Sequence, residues 1–157
     1  SSAASDVYKR QLLPLIRNLT GRRGSVVALD FSQKMIDKAT EKYGNCFSYV
    51  KSNAEKTPFR NAAFDRIICF SVFPHFNDKR RALRELRRIL KKHGVLIIAH
   101  ADSRKTINNM HGKIKGAVHK DLLPDNSDMK KLLSQAGFRE IVIKESSTRY
   151  IVTATKG

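Results

Sequence analysis

The sequence predicts an α/β fold, a mostly parallel sheet flanked by helices that ends in an antiparallel hairpin. Three observations point to it. Short apolar runs rich in β-branched and aromatic residues alternate with amphipathic stretches at helical spacing. Glycines follow the helical stretches, and only Lys144 to Arg149 separate the last two apolar runs, too few residues for a helical crossover. The chain has 157 residues and 41% hydrophobic content, which is enough for one sizeable core.

In order, Leu12 to Leu19 reads as a first helix, and strands follow at Ser25 to Leu29, Phe47 to Val50 and Arg66 to Ser71. Three more are expected at Val95 to His100, Arg139 to Ile143 and Tyr150 to Ala154, and four of the six read as buried. Helices are expected over Gln33 to Tyr43, Lys79 to Lys92, Arg104 to Ile114 and Asp128 to Ala136, with Ser32, Asn77 and Ser127 as N-caps. Gly44, Gly94 and Gly137 suit helix exits, where a left-handed backbone is open to glycine.

Composition narrows the function. The longest apolar runs, Val95 to Ala99 and Ile67 to Phe70, fall far short of the roughly 20 residues of a membrane span, so no span and a cytoplasmic location are expected. Cys46 and Cys69 have no metal-binding or disulfide-scaffold spacing, which agrees with a reducing compartment. The net charge of +17 raises a polyanionic partner. Arg80, Arg84, Arg87 and Lys91 recur on one side of the expected helix 79–92, and Leu83, Leu86, Ile89 and Leu90 on the other. A solvated helix face explains this stripe, and contact with RNA is the functional alternative.

Asp30 closes an apolar run, at the strand end where open α/β sheets bind ligands. A carboxylate there accepts both hydroxyls of a ribose, although an aspartate in that place also serves as a turn or capping residue. The surrounding text carries more. The segments VVALDFSQKMIDKA (Val26 to Ala39), SNAEKTPF (Ser52 to Phe59), AAFDRIICFSVFPHFND (Ala62 to Asp78) and ALRELRRILKKHGVLIIAH (Ala82 to His100) occur in that order. Together they resemble the class I S-adenosylmethionine-dependent methyltransferases, more narrowly the methyltransferase type 11 group, over residues 12 to about 155.

The resemblance implies a Rossmann-like three-layer sandwich and S-adenosylmethionine as cofactor. It places Asp30 on the ribose, Phe31 against the adenine, and the Ala54 amide on a ring nitrogen. Asn53 stands where the family usually has an aspartate that accepts from the adenine amino group, and an asparagine oxygen can accept the same bond. Phe70 and Ser71 match the segment beside the methionine part, and Val72 to Phe76 the substrate-facing turn, which carries His75.

The stretch after Val95 to His100 is expected to cover an unidentified small-molecule acceptor, with His100, Asp102, Asn108 and His111 near it. Transfer from a sulfonium needs chiefly alignment and exclusion of water, so His75, His100 and His111 are catalytic candidates only if the acceptor must lose a proton. His100, Asp102, His111 and His119 match no compact metal motif, and no metal is expected.

The family's first strand and glycine-rich loop have no counterpart before Leu12. Residues 1–11 (SSAASDVYKRQ) resemble translated adapter DNA and read as a non-native leader, which makes 12–157 an incomplete domain. The missing strand would run between those ending at Asp30 and Ser71, so these two are expected to be unpaired or forced together. Two other readings stand beside this one: a non-catalytic basic domain that binds nucleic acid, and a nicotinamide-dependent Rossmann enzyme, whose ribose acid occupies a similar place. Pro58 to Asp65 and the segment leading into HGVLIIAH favour the methyltransferase.

Overall fold

A computed structural model describes residue 12, residues 14–113 and residues 122–157, with side chains 110–113 left out. The chain divides into two compact units, one ending at Asn53 and one beginning at Ala54.

In the first unit, residues 14–20 form helix α1. It closes at Gly21, whose φ of 70° is left-handed and whose amide donates to the Arg17 carbonyl. Strand β1 (Val27–Asp30) pairs in parallel with β2 (Ser48–Lys51), Val27 opposite Ser48 and Asp30 opposite Lys51. Between them runs α2 (Gln33–Tyr43), as expected. The Ser32 hydroxyl accepts from the Met35 amide, and the helix stops at Gly44 with φ 56°. Among the described residues of this unit, Ile36 and Phe47 are the buried apolar ones. The Arg17 guanidinium lies 5.1 Å from the Phe47 ring centre and donates to the carbonyls of Gly24 and Cys46.

The second unit is a four-stranded sheet in the order β3-β4-β6-β5. Strand β3 (Phe64–Phe70) runs parallel to β4 (Leu90–His100). Strand β6 (Tyr150–Lys156) is antiparallel to β4 and to β5 (Phe138–Glu145), which is the expected terminal hairpin. Helices α3 (Lys79–Ile89), α4 (Arg104–Lys113) and α5 (Asn126–Gln135) complete the unit. Its core is continuous: Leu83, Leu86 and Ile89 of α3 join Leu96 and Ile98 of β4, Met129 and Leu133 of α5, and Tyr150 and Val152 of β6. Each such side chain contributes roughly 1.5–3 kcal/mol of burial.

Several boundaries differ from the sequence expectation, each for a visible reason. The helix expected to reach Lys92 ends at Ile89, because the buried Leu90 turns extended (ψ 140°) and pairs with Phe64. Lys91 therefore leaves the helical stripe and bridges to Asp65 at 3.2 Å. The α3 cap is Asp78 rather than Asn77, its carboxylate accepting from the Arg81 amide at 3.0 Å. Asp125 rather than Ser127 caps α5, accepting from the Asp128 amide at 2.8 Å.

Gly94 is not a helix exit. It lies within β4, where a Cβ would come within 2.8 Å of the Lys91 carbonyl and 3.0 Å of the Asp65 carbonyl, and His93 takes the left-handed φ of 64° instead. Burial is concentrated in β4 and β6, whereas β1 and β3 are largely half-exposed, so fewer than four strands are buried as expected. Strand β1 pairs with β2 and β3 with β4, and among the described residues no further strand pairs with β1 or β3. Mid-strand Leu29 (36%) and Ile68 (38%) are exposed for apolar residues of their size.

Candidate functional site

The carboxyl ends of β1 and β2 gather three of the expected residues. Asp30 is the last residue of β1, and its Oδ1 accepts from the Ser32 amide at 2.8 Å, which fixes the carboxylate over the start of α2. Its Oδ2 has no hydrogen-bond partner among the described residues. Phe31 follows with 75% exposure. The Ser52 amide donates to the Asp30 carbonyl at 3.0 Å, extending the β1–β2 pairing by one bond and bringing exposed Asn53 to the same strand ends.

A fixed anionic acceptor, an uncovered flat apolar ring and an amide together suit a ribose diol and a purine. The turn reading of Asp30 is realised through Oδ1, and Oδ2 is left open beside it.

The second unit presents the carboxyl ends of β3 and β4. Phe70 ends β3, and Ser71 then turns left-handed with φ 55° while its amide donates to the Ala99 carbonyl at 2.9 Å. A non-glycine residue in that conformation carries roughly 1 kcal/mol of strain, a cost that sites of function commonly hold. A short 3-10 turn follows, Phe73–His75. Phe73 is fully buried and meets Phe76 edge-on at 5.5 Å, so the turn is anchored while His75 is exposed. His100 ends β4 at 6% exposure, its ring 6.4 Å from that of Tyr150.

Burial pushes the Tyr150 hydroxyl up to about 12, helped by Glu145. It also pushes the Cys69 thiol up to about 12, which keeps that sulfur protonated and removes it as a nucleophile.

Ala54 is half-buried at the start of the second unit. His111 is on α4, but its side chain and all of His119 lie outside the described residues. Asn108, expected to face the acceptor, is committed elsewhere. Its amide nitrogen donates to the Leu123 carbonyl and its oxygen accepts from the Leu123 amide, at 3.1 and 2.8 Å.

Sequence reasoning missed the clamp behind the 54–63 segment. Glu85 Oε1 accepts from the amide and the hydroxyl of Thr57, both at 2.8 Å, and its carboxylate pairs with Arg88. Hydrogen bonding from Arg88 leads in lowering Glu85 from 4.5 to about 2. The i, i+3 spacing of Glu85 and Arg88 was the available signal; Thr57 lies 28 residues away and offered none.

Comparison with known proteins identifies the family and the fold. Residues 12–98, more than half of the chain, match the family described as "Methyltransferase domain". The ubiquinone/menaquinone biosynthesis C-methyltransferase UbiE of Wigglesworthia glossinidia brevipalpis is 29% identical over 103 residues, covering 62% of this chain and 39% of that protein. The protein of the same name from Shewanella frigidimarina is 28% identical over 151 residues, covering 79% and 60%. The chain thus spans less than two thirds of the length of either. A crystal structure of a SAM dependent methyltransferase from Aquifex aeolicus superposes with a TM-score of 0.73 at 21% identity, covering 92% of this chain and 76% of that one, which shows the Rossmann-like methyltransferase fold.

Proposed function

The chain belongs to the class I S-adenosylmethionine-dependent methyltransferases, and on that premise we propose that it transfers a methyl group to a carbon atom of a small-molecule acceptor. The observation that carries the reading is the end of β1, where Asp30 keeps one carboxylate oxygen available beside the uncovered ring of Phe31. The relatives named C-methyltransferases support carbon as the atom methylated. Free Cys46 and Cys69 accord with work in the cytoplasm, and among the described residues no helix is long and apolar enough to cross a membrane.

The residues divide the task. Asp30 accepts from the ribose hydroxyls through Oδ2, and Phe31 packs on the adenine. Asn53 accepts from the adenine amino group, and the Ala54 amide donates to a ring nitrogen. Phe70 and Ser71, held by the bond to Ala99, border the methionine part. When bound, the sulfonium cofactor supplies an activated methyl group, so the chain's contribution is alignment and exclusion of water. A carbon acceptor that must shed a proton needs a base. His75, exposed on an anchored turn, is the first candidate, with His100 and His111 after it.

Calorimetric titration with S-adenosylhomocysteine tests the reading. Asp30→Asn keeps an oxygen for the Ser32 amide and removes the charge. It is expected to weaken binding about 10- to 100-fold, the worth of charge-assisted bonds to the diol. Unchanged affinity would remove Asp30 from the site.

A further inference from the structure

The charge left over by the methyltransferase reading is concentrated on one face of the second unit. Helix α3, KRRALRELRRI, carries five arginines, one lysine and one acid. That acid, Glu85, is committed to Arg88 and Thr57. Arg80, Arg84 and Arg87 form an i, i+4, i+7 ridge, and Arg81 is exposed next to it.

The ridge runs along the junction of α5 and β5. Arg80 donates to the Gln135 side-chain carbonyl, and Arg87 to the carbonyls of Gly137 and Gly157, each at 3.4 Å. Arg87 lies close against this backbone, since a Cβ at Gly137, whose φ of 92° is left-handed, would come within 2.5 Å of Arg87 Nε. Two further cations join from the sheet. Arg139 packs against Gly157, where a Cβ would meet its Nε at 2.8 Å, and Lys156 donates to the Leu90 carbonyl at 2.7 Å.

The bonds to Gln135, Gly137 and Leu90 go to neutral oxygens, and no side-chain carboxylate bonds to these six cations among the described residues. Lys156 is held below its ordinary value, first by burial and then by the nearby charge of Arg87, so these two cations lie close together. Arg80 and Arg81 also stand in the first turn of α3, where the helix dipole disfavours cations.

We propose that the surface formed by Arg80, Arg81, Arg84, Arg87, Arg139 and Lys156 binds the phosphodiester backbone of a nucleic acid. Guanidinium groups match phosphate oxygens two at a time, and their placement on a rigid helix lowers the entropy lost on contact. The apolar side of α3 is wholly buried (Ala82, Leu83, Leu86, Ile89), so this helix has nothing to insert below lipid headgroups, and an anionic bilayer is the poorer fit. No aromatic residue occurs in α3 to stack on bases, so its contacts are to phosphate and independent of sequence. The proposal does not depend on the methyl-transfer reading.

Fluorescence anisotropy with the full chain and a labelled RNA duplex, over a salt series, tests it. The triple variant Arg80→Gln/Arg81→Gln/Arg84→Gln is expected to bind at least about 10-fold more weakly and to lose roughly 1 from the salt slope per contact removed. Arg80→Lys/Arg81→Lys/Arg84→Lys keeps the charge and is expected to keep the slope, which controls for folding. Arg22→Gln/Lys34→Gln/Lys38→Gln removes the same charge from exposed positions in the first unit and is expected to leave affinity within about twofold. Equal loss in the two glutamine triples would reduce the effect to net charge and overturn the proposal. Tighter attachment to phosphatidylglycerol vesicles than to the duplex would also overturn it, in favour of a membrane surface.

Discussion

The two units of this chain differ in how much core they bury and in what they offer an adenosine. The second places fully buried Leu83, Leu96, Ile98, Met129, Leu133, Tyr150 and Val152 around a four-stranded sheet. The first, among its described residues, rests on two strands, with Ile36 and Phe47 as the buried apolar side chains. A two-stranded sheet is marginal in water without further cover. Yet Asp30 and Phe31, the residues that suit an adenosine best, stand on that first unit. Good ligand geometry and a good core are thus properties of different parts of the chain, and the weaker part is expected to limit cofactor affinity.

The widest contrast comes from core truncation. Leu83→Ala is expected to cost about 3 kcal/mol, from lost burial and the cavity left behind, and to lower the urea midpoint of the whole second unit. Ile36→Ala removes a similar side chain from the first unit and is expected to speed amide exchange in α2, β1 and β2 while leaving that midpoint in place. A common shift of both would join the units into one cooperative block.

The Glu85 clamp gives a smaller, pH-dependent contrast. Its folded pKa of about 2 lies below the ordinary 4.5, so its contribution is complete above 4.5 and disappears as pH falls toward 2. Glu85→Gln is expected to cost about 2 kcal/mol at pH 7 and nothing near pH 2, measured by urea unfolding of the second unit. A cost independent of pH would assign the effect to packing.

Much of this arrangement was legible in the sequence because local and global signals coincide there. Helix α2 has a serine cap, a helical apolar period and a closing glycine, and it begins and ends where they place it. The hairpin of β5 and β6 was fixed by the short gap between them.

Expectations failed where tertiary contacts outvote local propensity. Leu90 continues a helical pattern yet is drawn into the sheet opposite Phe64, which shortens α3 and takes Lys91 from its stripe. Gly94 looked like a helix exit because close approach to backbone leaves no periodic trace. At the proposed site, Asp30 was singled out by its place after a strand, and its bond to the Ser32 amide uses one carboxylate oxygen and leaves the other open. Asn108 had the right chemistry for a substrate contact, but its partners, the backbone groups of Leu123, have no sequence signature.

Hydrogen exchange on the intact chain, with and without S-adenosylhomocysteine, tests the division of labour most directly. The account predicts that in the free chain β1 and β2 exchange well before β4 and β6. It also predicts that the ligand slows exchange at residues 30–36 and 52–54, around Asp30 and Asn53. Equal protection of the two sheets in the free chain, or no slowing at residues 30–36 with ligand bound, would contradict it.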